Sequence, residues 1–434
     1  MAIYFGTDGM RGVYGEELTP NLVYKCGNSL SRFCAKGKVL IGRDTRTSGD
    51  NLTLSFASGL TGGGVDVFDV GVVPTPAVAY LCKKLDCDYG IVISASHNPA
   101  KFNGVKIYDS QGYKISEEME KAIERKLFTP RFVNFDKLGV YKQVKNKVKL
   151  YKDDLIKDIP SLKGMKIVLD CANGACKNIA KEVFSRLGAE IILLCNGEGK
   201  DINNLCGALY PEKMQRQVLQ SQASMGFSFD GDGDRIVCSD EKGNILDGDD
   251  ILFLLACSMK ECKGVVGTTM SNKGFENALA KKKIPFFRAD VGDKYVAELM
   301  RSKSLPLGGE PSGHIIIHSL STTGDGILCA LNLAKLVKQK QKPLSKLVSY
   351  KKFPQVNINL PVIDKYRILN SDRLSSETLE IQKLFGQNGR VLVRASGTES
   401  KIRIMCEHIS RKIAQEKANK LEEIVLELNK TQKN

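Results

Sequence analysis

Short apolar runs alternate with amphipathic stretches through most of the chain. Residues 39–41, 65–68 and 89–93 read as strands, with helical spacing over 22–34, 51–60 and 77–84. A second set of the same kind opens with the strand 166–170 and runs through 191–194 to a short apolar strand at 225–229. A third starts near Asp249, with strands at 265–268 and 285–288, and closes on a helical pattern over 326–340. Such alternation predicts parallel or mixed sheets with helices on both faces. Beyond about Phe353 the rhythm changes: strands at 355–360, 390–393 and 402–406, then a helix over 412–428, read as a separate α+β domain. The expected architecture is α/β, with three mixed α/β sandwich domains of similar topology over 1–150, 151–248 and 249–350. A C-terminal α+β domain over 351–434 completes it.

A chain of 434 residues exceeds one ordinary core, which agrees with several domains. With 42% hydrophobic and 26% charged residues it has the balance of a globular protein. No basic segment followed by an apolar stretch opens the chain, and no apolar run approaches the roughly 20 residues that span a bilayer. A cytoplasmic enzyme without a membrane partner is expected. The formal charge of +15 comes mostly from lysine, concentrated over 142–152 and 335–352. These runs lack interleaved aromatics and read as solvated faces, so no nucleic-acid partner is expected. Their field would instead draw in an anionic small molecule. Three of the 13 cysteines' pairs, Cys82/Cys87, Cys171/Cys176 and Cys257/Cys262, have four intervening residues, which is not zinc spacing. Reduced thiols are expected.

The chemistry concentrates in four clusters. Phe229-Asp230-Gly231-Asp232-Gly233-Asp234-Arg235 follows an apolar strand. Three carboxylates so close repel one another unless a cation lies among them, and magnesium favours such oxygen donors. An acidic surface turn is the plainer alternative. Ser94-Ala95-Ser96-His97-Asn98-Pro99 leaves another strand, with Pro99 favouring a fixed loop. A hydroxyl there needs a base or a metal to become a nucleophile. Gly308-Gly309-Glu310-Pro311-Ser312-Gly313-His314 offers groups suited to sugar hydroxyls. Arg394-Ala395-Ser396-Gly397-Thr398-Glu399, with Arg403 beyond it, offers an anion cradle.

Together with Phe5-Gly6-Thr7-Asp8-Gly9-Met10-Arg11-Gly12, these clusters stand in an order that resembles the α-D-phosphohexomutases from end to end. Asn204-Leu205-Cys206-Gly207, Pro211-Glu212 and Val291-Gly292-Asp293-Lys294-Tyr295-Val296 resemble the glucosamine branch of that family. The resemblance implies exchange of phosphate between O6 and O1 of glucosamine phosphate through a 1,6-bisphosphate, which also acts as activator. It implies that Ser96 carries the transferable phosphoryl group. Asp230, Asp232 and Asp234, with an oxygen of phosphorylated Ser96, would hold Mg²⁺. By the same resemblance Glu310 and Ser312 contact sugar hydroxyls, and His97 lies with the substrate. Arg394, Ser396, Gly397 and Thr398, joined by Arg403, grip the distal phosphate. Arg11, Lys106 and His314 match positions of proton transfer or charge stabilisation.

The chain departs from the glucosamine pattern at Ala100-Lys101-Phe102-Asn103, where an aromatic-Asn-Gly stretch is more typical of glucose and mannose mutases. Pro311 and Ala395 also replace a common Gln and Pro. The rival readings are the glucose or mannose branch, a phosphatase using the same serine and metal, and a nucleic-acid binder. The four clusters fall in different units, so a central cleft with a hinge near Lys351 is expected. A homodimer is one assembly open to such a chain.

Overall fold

The computed structural model describes residues 4–6, 8–396 and 400–430. The chain divides into two compact units. The first comprises Met1–Met270 and Ile284–Val348; the second comprises Ser271–Lys283 and Ser349–Asn434.

The first unit holds three sheets. The largest contains β1 (Phe5–Gly6), β2 (Gly9–Val13), β3 (Lys38–Arg43), β4 (Asp66–Val72), β5 (Tyr89–Ile93), β6 (Phe102–Asp109) and β7 (Tyr141–Gln143), in the order β1-β2-β6-β5-β3-β4-β7. The second contains β8 (Lys166–Asp170), β9 (Glu190–Leu194), β10 (Met225–Phe229), β11 (Ile236–Asp240) and β12 (Ile245–Leu246), ordered β12-β11-β10-β8-β9. The third contains β13 (Val265–Thr268), β14 (Phe286–Ala289), β15 (Leu307–Gly309) and β16 (Ile315–Ile317), ordered β14-β13-β15-β16.

One plan repeats in all three. The first strand of each set pairs in parallel with the second and the third, and the fourth returns antiparallel on the third. The returns are β5 to β6, β10 to β11 and β15 to β16. Each return turn lies at the C-terminal end of a parallel strand, where open α/β sheets place ligands. The three turns are residues 94–101, 230–235 and 310–314, which carry three of the four chemical clusters.

Burial supports the elements. In the largest sheet Val39, Ile41, Ile91 and Ile93 are fully buried with Leu30, Phe56 and Leu60 of the helices Pro20–Leu30 and Gly49–Gly62. The opposite face receives the helix Thr75–Lys84, which begins two residues before the expected start because Pro76 suits a first turn. The expected helix over 22–34 ends at Leu30 and continues as a 3₁₀ turn, Ser31–Phe33. The lysine-rich run near 150 holds a helix, Val148–Ile156, with Val148, Tyr151 and Leu155 buried.

In the second unit β17 (Gln355–Pro361), β18 (Gly389–Ala395) and β19 (Lys401–His408) form an antiparallel sheet ordered β17-β19-β18. The helices Asp372–Phe385 and Arg411–Lys430 bury Leu374, Ile381, Phe385, Ala414, Ala418 and Leu421 against it. Residues 271–283 belong here: Asn272 caps the helix Lys273–Lys281 and also receives the Phe353 N–H at 2.9 Å. Among the described residues no helix is long and apolar enough to cross a membrane.

Candidate functional site

Ser96 lies in the turn after β5 in the left-handed backbone region, with φ +49°. A non-glycine residue held there marks local strain that the surroundings must maintain. The surroundings do so through a buried arginine. Arg46, in the turn after β3, donates from Nη1 to the carbonyls of Pro99 (2.6 Å) and Phe102 (2.9 Å). Its Nη2 donates to the carbonyls of Ser96 (2.9 Å) and Asn98 (2.8 Å). Asp44 pairs with Arg46 Nε at 2.9 Å and accepts the Ser94 hydroxyl at 2.6 Å. Ser94 Oγ in turn accepts the Ser96 N–H at 2.8 Å. From the segment that follows β9, the Asn203 amide donates to the same Ser96 and Asn98 carbonyls.

The strained loop aims its hydroxyl at the acidic turn. Ser96 Oγ donates to Asp230 Oδ2 at 2.6 Å, and His97 Nδ1 lies 3.4 Å from Ser96 Oγ. Asp230, Asp232 and Asp234 are all buried, with one oxygen from each within 4.8 Å of the others. Two glycines allow this. Gly233 adopts φ +70°. Gly231 is needed for close approach: a Cβ there would stand 2.7 Å from the Ser96 carbonyl oxygen.

Lys106 on β6 is buried and bonds Asp232 Oδ2 (2.8 Å) and Asp234 Oδ2 (2.9 Å), and the Thr75 hydroxyl also donates to Asp232 Oδ2. The other oxygens, Asp232 Oδ1 and Asp234 Oδ1, are buried without a hydrogen-bond partner among the described residues. Buried carboxylate oxygens are costly to leave so. Burial, with Asp234 and Asp232 beside it, pushes the Asp230 carboxyl well above its ordinary pKa. Burial also opposes the Asp234 carboxylate, but Lys106, His314 and Arg235 outweigh it and hold that group well below the usual range. An all-oxygen donor set, close, acidic and under-satisfied, fits a hard divalent cation such as Mg²⁺.

Charged groups surround this centre. Arg11 on β2 reaches Asn98 Oδ1 at 3.3 Å and pairs with Asp8. Lys106 lies 3.5 Å from Asp8, and Lys114 bridges Asp8 and Asp293. His314, just before β16, receives the Gly324 N–H on Nε2 at 3.0 Å and stands with Nδ1 3.9 Å from Asp234. That bond needs Nε2 unprotonated, so the ring proton faces Asp234. Burial and the charges of Arg235 and Arg11 push the His97 imidazole down to about 4, so it is neutral at pH 7. Glu310 is buried and accepts the Gly292 N–H at 3.1 Å; Ser312 is exposed in the same turn. Ser96, His97, Arg11, Lys106, His314 and the three aspartates are thus brought together through these contacts, while Glu310 and Ser312 occupy the third return turn.

In the second unit Arg394 on β18 stands directly opposite Arg403 on β19. Like charges in register repel, an arrangement suited to an anion between them. Burial and Arg403 lower the Arg394 pKa. Arg403 Nη2 donates to the buried Ser396 hydroxyl at 3.3 Å, and Lys365 Nζ donates to the Ser396 carbonyl at 2.7 Å. Gly397, Thr398 and Glu399, with Thr7 of the N-terminal motif, lie outside the described residues.

Sequence reasoning passed over Asp44, Arg46, Thr75, Lys114 and Asn203. The run Arg43-Asp44-Thr45-Arg46 at a strand exit was a signal of the same kind as the serine turn, but charge in a loop reads as solvated.

Models of the phosphoglucomutase/phosphomannomutase family match four stretches: α/β/α domain I over residues 2–134, domain II over 143–243, domain III over 247–353 and the C-terminal domain over 357–424. A phosphoglucosamine mutase of Teredinibacter turnerae is 42% identical, covering 97% of this chain and 98% of the relative. A phosphoglucomutase/phosphomannomutase family protein of Burkholderia thailandensis shares the fold with TM-score 0.85 at 24% identity, covering 98% of this chain and 97% of the other. The N-acetylphosphoglucosamine mutase of Aspergillus fumigatus, solved with GlcNAc-6P and magnesium, has TM-score 0.69 at 19% identity, over 99% of this chain and 96% of that one. The four matched stretches cover most of the chain in the order in which the return turns and the paired arginines occur, and the chain belongs to the phosphoglucomutase/phosphomannomutase family, with phosphoglucosamine mutases among its relatives at about 40% identity.

Proposed function

We propose that this chain interconverts glucosamine 6-phosphate and glucosamine 1-phosphate through a phosphoryl group carried on Ser96. The observation that carries the reading is the Ser96 hydroxyl, held at φ +49° and 2.6 Å from Asp230 at the edge of a buried three-carboxylate cluster. The full-length likeness to phosphoglucosamine mutases supports the choice of sugar. Asp230, Asp232 and Asp234, with an oxygen of phosphorylated Ser96, would hold Mg²⁺. The ion supplies charge neutralisation on the transferring phosphoryl group.

The chain's residues do the rest. In the first transfer a substrate hydroxyl oxygen attacks the phosphorus on Ser96, the phosphorus–Ser96 oxygen bond breaks, and the substrate becomes a 1,6-bisphosphate. The hydroxyl proton passes to a neighbouring base, for which neutral His97, 3.4 Å from Ser96 Oγ, is the candidate, and the departing Ser96 oxygen takes up a proton to become the hydroxyl that faces Asp230. Lys106 and Arg11 offset the charge that builds on the oxygens. In the second transfer the other phosphate returns to Ser96, which restores the enzyme and gives the isomer. Glu310 and Ser312 would take sugar hydroxyls. Arg394, Ser396 and Arg403, with Gly397 and Thr398, would take the phosphate not in transfer. A sugar 1,6-bisphosphate would rephosphorylate Ser96 after loss of the group, which is the activator role.

Comparison of kcat/KM on glucosamine, glucose and mannose 6-phosphates tests the substrate. Glucosamine 6-phosphate is expected to lead by at least about tenfold. A lead for glucose or mannose would overturn the choice of sugar, and sustained release of inorganic phosphate would make the chain a hydrolase.

A further inference from the structure

A second group of metal-ligand type shares no residue with the acidic turn. Asp170 ends β8, Cys195 follows β9, and Cys206 precedes the 3₁₀ turn Gly207–Leu209. A carboxylate oxygen and two sulfurs from these residues lie within 4.8 Å of one another. Asp170 and Cys206 are buried and Cys195 is half-buried, which leaves one side open to solvent.

The donors are already oriented. The Ala172 N–H donates to Asp170 Oδ1 at 3.0 Å and the Gly207 N–H to Oδ2 at 2.9 Å. Asp170 also hydrogen-bonds the Cys195 side chain, and Cys195 in turn hydrogen-bonds Cys206, so the three side chains face one another and a cation would displace the protons they share. The Asn173 amide nitrogen stands 3.8 Å from Cys206 Sγ. Such outer contacts are what hold metal ligands in place. Ionised together, the three groups would carry three negative charges in a mostly buried space, which a cation would relieve. Their softness separates them from the Asp230 cluster: oxygen-only sets suit magnesium, whereas two sulfurs and one oxygen suit zinc.

We propose that Asp170, Cys195 and Cys206 bind a thiophilic divalent cation of the zinc class, with water at the fourth tetrahedral position on the half-buried side. The segment between the two cysteines carries Asn203, whose amide holds the Ser96 and Asn98 carbonyls. An ion fixing Cys195 and Cys206 to the end of β8 therefore stiffens the support behind the reactive serine. The stiffening rests on the role proposed for Ser96, whereas the binding itself does not depend on that reaction.

The test uses the full chain, reduced and stripped of metal, titrated with Co²⁺ in excess Mg²⁺. One equivalent is expected to bind with a sulfur-to-cobalt charge-transfer band and to be displaced by Zn²⁺. X-ray absorption of the zinc form should show two sulfurs at about 2.3 Å beside lighter donors. Cys195→Ser, and independently Asp170→Asn, should weaken Co²⁺ binding at least about tenfold while circular dichroism is unchanged. Cys257→Ser, at an exposed cysteine elsewhere, should leave the band intact. No sulfur band in the parent chain, a band that survives both site variants, or a Cys195–Cys206 disulfide that persists under reductant would overturn the site.

Discussion

Arg46 shows how far a single side chain can set a site it never touches as a reactant. It is fully buried, and four carbonyls of the Ser96 loop and its exit end on its two terminal nitrogens. Burial raises the pKa of its partner Asp44, so the pair stands only as a pair. Arg46→Leu should cost about 3–5 kcal/mol, because it leaves Asp44 buried and unmatched. Arg46→Lys keeps the charge but not the planar fork, so turnover should fall more than thermal stability does. Thermal melts and kcat on the two variants check this. Loop charge was invisible to sequence reasoning because exposure, not residue type, decides whether an arginine is solvent or scaffold. The turn after β5 stood out because two serines, an imidazole and a fixed turn crowd one strand exit, whereas the choice of Ser96 over Ser94 came from the family resemblance.

At the scale of elements, the strands that sequence pattern revealed are the apolar ones, such as β5, β8, β10 and β13. β6 escaped because Asn103 and Lys106 interrupt its apolar run, yet both are buried. The chemistry that needs Lys106 beside the aspartates breaks the pattern that would announce the strand. β15 escaped for a related reason: two of its three residues are glycine. The acidic turn was read as a metal loop from its carboxylate spacing, but the separate tasks of its glycines emerge only in three dimensions. Gly231→Ala would force the turn away from the Ser96 carbonyl. It should lower stability by about 1–3 kcal/mol and activity by more than Ser94→Ala lowers it, read by melts and initial rates in parallel.

Over the whole molecule, the repeated order of strands explains why three motifs far apart in sequence occupy equivalent places. Alternating pattern made the three α/β sets legible; the order of strands within each, and the grouping of 271–283 with the C-terminal unit, were not, since both depend on long-range pairing. The net charge of +15 belongs to this scale too. A phosphorylated sugar should be drawn in by that field, so kcat/KM should fall severalfold between low and physiological salt while kcat stays nearly constant. A salt-independent kcat/KM would mean that the lysine surplus plays no part in capture.

The central claim is that Ser96 lends and reclaims the phosphoryl group, and peptide-resolved mass spectrometry after exposure to a sugar 1,6-bisphosphate addresses it most directly. The account predicts one phosphoryl group, on Ser96, lost on adding excess glucosamine monophosphate as bisphosphate appears, and absent from a Ser96→Ala chain that no longer turns over. Full mutase activity in Ser96→Ala, or phosphate carried on another residue, would contradict it.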